Sequence, residues 1–339
     1  MQGDDTVYEQ GVIDGRFRVI THLMTVGATP IFPDRTSLAY RAYQMIIVVS
    51  AYLTFITAVI GILKNFHDEG FVMEAARTTF TMINVLWTHF FTSRNMQGVR
   101  NLVRMAREWS ELAGRVADKK KDAWISRIQI VAWRGSGFFY CIHIIYLVLR
   151  IVSQSNNILF YNSWIPFETE TNFGYYFILV VQALGSILYA CLVFAIMTLF
   201  ASLLLVVCSE LEMLQGILME MKQNEGEPQS AVKESLAQWV KHHQQILRYL
   251  KELEDTFNVV LLGPLLSVAV ILCLTAYTAV TISGNFVEII QICLITSAML
   301  SQLQIFCYFG NELTIQVLNE TYTYFMFLLN FSNNSSEHK

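Results

Sequence analysis

Charged residues are scarce in this sequence. Of its 339 residues, 15% are Asp, Glu, Lys or Arg, whereas 54% are hydrophobic, and the mean hydropathy is +0.43. A soluble core of this size could not bury so much apolar surface. The formal net charge of −4 leaves no basic excess that would suggest nucleic acid as a partner. The composition therefore predicts an all-α polytopic membrane protein in contact with membrane lipid.

The motifs of enzymes and metal sites are also missing. The sequence has no HExxH, no glycine-rich phosphate loop and no Ser/His/Asp arrangement. All six cysteines fall within apolar segments without CxxC or Cys/His spacing, which favours buried free thiols. The adjacent His242 and His243 would diverge by about 100° on a helix, which favours a solvated helix over a metal site. We expect no enzymatic activity, no cofactor and no metal.

Long apolar runs are present, and about 20 residues suffice to cross roughly 30 Å of hydrocarbon. The fourth run has no charge in 35 residues. As a helix it would measure about 52 Å and should project beyond the membrane. Gly310, Asn311 and Glu312 separate the last two runs, of which the final one is short. The predicted spans are 45–63, 75–93, 135–149, 175–209, 256–283, 286–309 and 313–331.

The basic residues are distributed unevenly among the connections. Nineteen of the 23 Lys and Arg residues lie before the first span, between the second and third, or between the fourth and fifth. By the positive-inside rule these connections are cytoplasmic, as is the amino terminus, and seven spans then leave the carboxyl terminus extracellular. The predicted regions are a cytoplasmic segment 1–44, spans one to four at 45–209, a cytoplasmic helical anchor at 210–255, spans five to seven at 256–331 and an extracellular tail 332–339.

The segment 229–257 has the pattern of an amphipathic helix. Its apolar residues recur at three- and four-residue steps from Leu236 to Phe257, just before the fifth span. Together with the overlong fourth span, this pattern predicts a helical extension of helices four to six below the membrane. A solvated connector that packs only against its own chain is the alternative.

Several short motifs, in their order along the chain, resemble the insect odorant receptor family. They are SWIPFE at 163–168, HHQQILRYLKELEDTFN at 242–258 and CYFGNELTIQ at 307–316, and the closing TYFMFLLNF at 323–331 is similar to the co-receptor of that family and to the related gustatory receptors. The resemblance implies a ligand-gated, non-selective cation channel formed as a hetero-oligomer, a tetramer, with the odorant receptor co-receptor. It also implies a multi-pass protein in the plasma membrane of olfactory sensory neurons.

The resemblance further implies a pocket for a small volatile organic ligand in the outer half of the bundle. The residues at this level are Phe80, Tyr140, His143, Ile144, Leu147, Phe177, Val180, Leu184, Tyr277 and Thr281. It also implies a pore lined by the final helix, with Phe327 and Phe331 as a hydrophobic gate and Asn330 beside them. Ordinary helix packing and lipid contact are the alternatives for these residues.

Relatives that resemble this chain continue after the GNELTIQ motif through a cytoplasmic helix and a full-length pore helix. Here Gln316 is followed at once by a segment that resembles only the end of that helix, which predicts a truncated or splice variant with a shortened last helix and an impaired pore. Glu312 and Glu320 must then face water or a partner. A gustatory-type receptor channel and a G-protein-coupled seven-helix receptor are the alternatives, although the Asp-Arg-Tyr and Asn-Pro-x-x-Tyr signatures of the latter are absent.

Overall fold

The computed structural model describes residues 17–32, 37–113, 116–153, 159, 161–164, 172–223, 229–281 and 286–337, and these residues form helices and connections without a strand. The all-α class predicted from composition is confirmed. The helices are α1 (Arg18–Val26), α2 (Leu38–Lys64), α3 (Glu69–Arg94), α4 (Met96–Ala113), α5 (Val116–Ser153), α6 (Asn172–Leu188), a π-helical turn (Tyr189–Val193), α7 (Phe194–Gln223), α8 (Gln229–Thr281) and α9 (Phe286–Glu337).

The first three predicted spans lie on α2, α3 and α5. The fourth runs through α6, the π-helical turn and α7, and the fifth lies on α8 as far as Thr281. By length and apolar character, four helical segments in the described part of the chain can cross a membrane: Leu38–Lys64, Gly174–Met221, Lys233–Thr281 and Ile292–Met326. Helix α3 is less apolar because it carries Arg77, Asn84 and His89. Arg77 and Asn84 are nevertheless buried against the other helices, so tertiary packing and not hydropathy places α3 in the bundle.

Side-chain caps start the two helices that form the first hairpin. The Ser37 hydroxyl accepts a hydrogen bond from the Tyr40 amide at 3.2 Å, and the Asp68 carboxylate accepts one from the Phe71 amide at 3.0 Å. Such caps satisfy amide groups that have no partner within the first turn of a helix. They fix the residues at which α2 and α3 begin.

Helix α7 lies at the centre of the bundle, in contact with α1, α5, α8 and α9. Of the 18-residue apolar window in Gly174–Met221, 78% is buried, a higher share than in the other spanning segments of the described chain. A helix that is apolar on all sides is stable only when neighbours surround it. The uncharged fourth run therefore becomes the core helix.

Helix α1 packs into the same core although its sequence gave no sign of membrane contact. Phe17, Ile20, Leu23 and Met24 are fully buried against the central cluster. The chain after α1 is held by polar contacts, among them one of 2.8 Å between the Thr29 hydroxyl and a ring nitrogen of His89. Part of the predicted cytoplasmic segment 1–44 thus contributes to the bundle.

Helices α8 and α9 contain 53 and 52 residues, or about 80 Å each at 1.5 Å per residue. Both are far longer than roughly 30 Å of hydrocarbon. Beyond the apolar part both pack against the second half of α7, and α8 also packs against α4. We call this region the end bundle; it consists of α4, residues 209–223 of α7, residues 229–257 of α8 and residues 310–326 of α9. The predicted helical extension is therefore present.

The predicted boundary between the sixth and seventh spans is wrong. Helix α9 passes through Gly310, Asn311 and Glu312 without a break. Side-chain hydrogen bonds within α9 stabilise this helical turn. The Thr314 hydroxyl donates to the Gly310 carbonyl at 3.0 Å, and the Gln316 amide donates to the Glu312 carboxylate at 3.3 Å. Intrahelical bonds and packing thus outweigh the modest cost of a glycine inside a helix.

The segment 313–326 therefore continues the helix of the sixth predicted span. It lies in the end bundle, where the Gln215 amide of α7 donates to the Gln316 carbonyl at 3.2 Å. Glu312 and Glu320 both have polar partners there, as the sequence required; the partner of Glu320 is His243 of α8.

The close approach of α3 and α8 provides a test of this packing. The Trp87 indole donates to the Val259 carbonyl at 2.8 Å, and a Cβ at Gly263 would overlap the Trp87 ring. We expect Gly263→Ala to destabilise the protein by about 1–3 kcal/mol, the usual cost of overpacking, because the hydrogen bond holds the ring in place. Thermal unfolding in detergent measures the change.

The matched control is Gly216→Ala, since a Cβ at Gly216 would meet no atom within 4 Å. This substitution should be neutral or stabilise the helix by up to about 1 kcal/mol. Equal unfolding temperatures for the two variants would show that α3 and α8 do not meet at Gly263.

Candidate functional site

The connection before α6 folds back onto the helices instead of lying over their ends. The Trp164 amide donates to the Thr57 carbonyl of α2 at 2.9 Å, and the Asn162 amide donates to the Glu74 carboxylate of α3 at 2.8 Å. Residues 161–164, which we call the inner loop, are thus attached to both helices of the first hairpin.

Two further contacts hold Trp164. The Lys64 ammonium lies over its ring, 4.0 Å from the centroid, a cation–π geometry. Gly61 lets the loop backbone come close, because a Cβ there would lie 3.0 Å from the Trp164 amide nitrogen. The last two turns of α2 therefore form a close-fitting binding surface for the inner loop.

Gln182 of α6 holds the other end of the inner loop. Its carbonyl oxygen accepts from the Tyr161 amide at 3.0 Å, and its amide donates to the Tyr161 carbonyl at 3.1 Å and to the Ser163 hydroxyl at 2.8 Å. The Gln182 side chain is fully buried. The Gln182 side chain thereby provides hydrogen-bond partners for both the backbone amide and the backbone carbonyl of Tyr161, which are shielded from water.

Two further tyrosine side chains lie within electrostatic reach of the inner loop. Tyr161 of the inner loop lies within electrostatic reach of Tyr140 on α5 and of Tyr189. Tyr189 belongs to the π-helical turn and is buried, and Tyr140 also lies within reach of Ser186 of α6. We call Tyr140, Tyr161, Gln182, Ser186 and Tyr189 the tyrosine site.

The tyrosine site has the chemistry of a small-molecule site. It combines aromatic rings with a few hydroxyl and amide groups that can orient a ligand, as small-molecule sites generally do. It is also next to a π-helical turn, an irregularity that is frequent at functional sites. In the described residues no group of three or more His, Cys, Asp or Glu side chains could hold a metal ion.

The predicted pocket residues divide by their placement. Tyr140, Phe80 and Leu184 are partly buried, and the last two pack against the main core. Ile144, Phe177, Val180 and Tyr277 are 43% to 53% exposed, and Thr281 is also exposed. The side chains of His143 and Leu147 lie outside the described residues, as do those of the predicted gate residues Phe327, Asn330 and Phe331.

Four members of the tyrosine site were not predicted: Tyr161, Gln182, Ser186 and Tyr189. Gln182 had a usable signal, because it is the only amide side chain in the uncharged run 175–209. A polar group in such a run faces the bundle interior and has a partner. Nothing in the sequence indicated that the loop carrying Tyr161 would enter the bundle.

The end bundle has an aromatic stack at its centre. The Trp239 ring of α8 lies between His243 and Tyr324, with centroid distances of 5.2 and 5.0 Å and nearly parallel planes. The Trp239 indole also donates to the Leu214 carbonyl of α7 at 3.0 Å. Trp239 therefore joins α7, α8 and α9 through one side chain.

The adjacent histidines are half-buried and contact different acids, whereas the sequence predicted a solvated helix here. His242 is hydrogen-bonded to Glu210 of α7 at 3.0 Å, and this bond raises the pKa of His242 against the opposing effect of burial. His243 Nδ1 lies 3.0 Å from the buried Glu320 carboxylate of α9.

Comparison with known proteins identifies the family. A family model described as the seven-transmembrane odorant receptor matches residues 70–326, about three quarters of the chain. This chain belongs to the insect odorant receptor family. The resemblance found in the short motifs is thereby confirmed, and the protein is a membrane receptor and not an enzyme.

Individual relatives of this odorant receptor agree with that assignment. A segment covering 26% of the chain is 33% identical over 94 residues to Odorant receptor 13a of Drosophila melanogaster, and the match spans 22% of that relative's length. The fold is similar to the insect olfactory receptor OR5 of Machilis hrabei in complex with eugenol, with a TM-score of 0.74, 15% identity and coverage of 89% of this chain and 81% of that one.

A second structure of the same Machilis hrabei receptor is similar to the same degree. Its TM-score is 0.73 at 15% identity, and the match covers 93% of this chain and 83% of that one. At this identity the likeness establishes the fold of this odorant receptor and nothing about its ligand.

Removing the Gln182 side chain tests how the inner loop is held. In Gln182→Ala the buried amide and carbonyl of Tyr161 lose their partner, at about 1–3 kcal/mol for each unsatisfied group. We expect a lower unfolding temperature and faster hydrogen exchange of the backbone amides at 161–164.

Val180→Ala is the matched control, because Val180 is on the same helix and 53% exposed. It should leave hydrogen exchange in the inner loop unchanged. If the two variants exchange alike at 161–164, Gln182 does not hold the loop.

Proposed function

We propose that this odorant receptor binds a small volatile molecule at the tyrosine site. The observation that supports this most is the buried Gln182 contact, which holds Tyr161 inside the bundle close to Tyr140 and Tyr189. Burying a loop in this way is costly unless its backbone is fully bonded. The arrangement keeps several hydroxyl groups fixed in an apolar environment.

The ligand class follows from the lining. Aromatic rings bind an apolar skeleton, and one or two of the tyrosine, serine or glutamine groups bind a hydroxyl or carbonyl group on it. A compact odorant with a single polar function fits this description best. Eugenol, present in the complex of the Machilis hrabei receptor, has a phenolic hydroxyl on an aromatic ring and is a suitable first probe.

The placement of the predicted pocket residues narrows the proposal. Tyr140, Phe80 and Leu184 are assigned to the ligand side because they face the interior of the bundle. The exposed Ile144, Phe177, Val180, Tyr277 and Thr281 are assigned to contacts with lipid or a neighbouring subunit. His143 and Leu147 remain proposed pocket residues on the basis of the family resemblance.

We further propose that the receptor works with a co-receptor subunit as a ligand-gated, non-selective cation channel in the plasma membrane of olfactory sensory neurons. The motif resemblance supports this assembly, and a hetero-tetramer is the form it implies. The uneven distribution of Lys and Arg supports a cytoplasmic position for the end bundle, including the proposed anchor 210–255.

The pore of this chain is proposed to be incomplete. A gate at Phe327, Asn330 and Phe331 requires a helix that crosses back to the outer side, but α9 carries residues 313–326 into the end bundle. This arrangement supports the hypothesis that a segment after Gln316 is missing. It also moves the proposed position of the tail 332–339 to the cytoplasmic side.

Odorant-evoked current tests the proposed site. With a co-receptor co-expressed and the segment after Gln316 restored, Tyr140→Ala should raise the half-maximal concentration of an effective odorant by about tenfold or more, because a lost ring and hydrogen bond are worth at least about 1.4 kcal/mol. Ile144→Ala, one turn along α5 and exposed, should leave it unchanged. Equal shifts would remove Tyr140 from the site.

Restoring the segment after Gln316 tests the pore proposal. Because the unrestored chain lacks a second crossing, we expect it to reach the membrane with a co-receptor and to give much smaller currents than the restored chain. Surface labelling of both chains controls for expression. Currents of equal size at equal surface density would show that the chain conducts without the segment.

A further inference from the structure

Helix α5 has a row of exposed side chains between residues 127 and 148. Its members follow one another at alternating steps of four and three residues, which places them on one face of the helix. The opposite face, with Ile125, Gln129, Ala132 and Ser136, is buried against the bundle. We call the exposed residues the α5 row: Arg127, Val131, Arg134, Phe138, Cys141, Ile145 and Val148.

The outer part of the α5 row faces lipid chains. Phe138, Ile145 and Val148 are 52% to 69% exposed, and they belong to the predicted third span, 135–149. An apolar face of a membrane helix can contact hydrocarbon without cost, because lipid chains are as apolar as the side chains themselves. The inner end of the row therefore lies at the surface of the membrane.

Two arginines form this inner end. Arg127 and Arg134 are both exposed, and seven residues of helix place them about 10 Å apart along the same face. The exposed Val131 and Phe138 lie on either side of Arg134. Neither guanidinium group has a hydrogen bond or an ion pair in the described part of the chain. Two positive charges are thus set into an apolar face without a negative partner among the described residues.

A neighbouring aromatic residue indicates the depth of these charges. Trp133 is 48% exposed, and exposed tryptophans concentrate at the level of the lipid headgroups. Arginine side chains can extend along apolar surface and hold their charge at this level. By the positive-inside rule, the beginning of α5 is on the cytoplasmic side, where the leaflet contains anionic lipids. The two arginines therefore face a leaflet of the opposite charge.

We propose that Arg127 and Arg134 bind the headgroup of an anionic glycerophospholipid in the cytoplasmic leaflet. Guanidinium groups form paired hydrogen bonds with phosphate and carboxylate oxygens. One arginine binds the phosphodiester and the other binds the additional negative group, such as the carboxylate of phosphatidylserine, while the acyl chains lie along the outer part of the α5 row. Phosphatidylcholine has a cationic group in place of that carboxylate, so the site distinguishes lipids by their charge.

Native mass spectrometry of the full chain tests the site, because lipids that stay bound add their mass to the protein. After incubation in detergent with equal amounts of phosphatidylserine and phosphatidylcholine, the unchanged chain should retain several-fold more phosphatidylserine. Arg134→Gln should reduce this preference several-fold, and the double variant with Arg127→Gln should abolish it. Arg134→Lys keeps the charge and should retain most of the preference.

Arg41→Gln is the matched control. Arg41 is exposed between Leu38 and Met45 near the beginning of α2, and both of these neighbours are also exposed. It has no second arginine seven residues before it, because position 34 is an aspartate. The variant removes one positive charge from a similar apolar face and should leave the lipid preference unchanged.

The outcomes separate this inference from odorant binding. Equal losses in Arg41→Gln and Arg134→Gln would show that overall charge attracts the lipid, and would overturn a site on the α5 row. Equal retention of the two lipids by the unchanged chain would also overturn it, and this comparison needs no variant to accumulate. If the double variant lost a co-purified co-receptor and kept phosphatidylserine, the α5 row would be a subunit contact and the lipid site would be wrong. A lipid preference that depends on Arg134 in a receptor without an odorant response would contradict the proposed function alone.

Discussion

The thickness of the hydrocarbon layer is the constraint on which this structure depends. Helices α8 and α9 are more than twice as long as the layer they cross, so half of each must find partners in water. The end bundle provides them through one aromatic stack around Trp239 and through the acids that meet His242 and His243. The shape of the receptor beyond the membrane thus follows from the length of its helices.

Within the membrane the corresponding problem is where polar groups find partners. The inner loop enters the bundle because Gln182, Thr57 and Glu74 satisfy its backbone and the Asn162 amide. Each of these contacts removes a cost that would otherwise expel the loop into water. The residues that hold the loop also keep Tyr161 within electrostatic reach of Tyr140 and Tyr189. The hydrogen bonds that let the loop enter the bundle therefore also place Tyr161 in the candidate site.

Much of the fold could be predicted from the apolar runs and the positions of charged residues, because apolar residues tend to be buried and charged residues tend to be exposed. The overlong run 175–209 correctly predicted a helical segment longer than one span, which is Gly174–Met221. The stripe from Leu236 to Phe257 correctly predicted a helix that leads into the fifth span. The predicted break at Gly310 failed, because turn-forming residues lower helix propensity by about 1 kcal/mol or less each, and packing along α7 and α8 exceeds this. Propensity is a weak guide where tertiary contacts are extensive.

The candidate site was less predictable for a different reason. Tyr140 could be placed from its helix, whereas Tyr161 comes from a connection whose path depends on contacts with residues 19 to 107 positions away. Periodicity contains no information about such contacts. The exposure of Phe177 and Val180 depends on how α6 is rotated about its axis, and a run that is apolar on all sides does not determine this rotation.

The π-helical turn Tyr189–Val193 lies between α6 and α7, so the rotation of α6 about its axis differs from that of α7. A single wide turn adds one residue to a helix and shifts the faces on either side of it relative to each other. Helix α6 can therefore present one face to α2 and the inner loop, while α7 presents another to α5 and α9. Sequence change in α6 can therefore alter the proposed tyrosine site without disturbing the packing of α7 in the core.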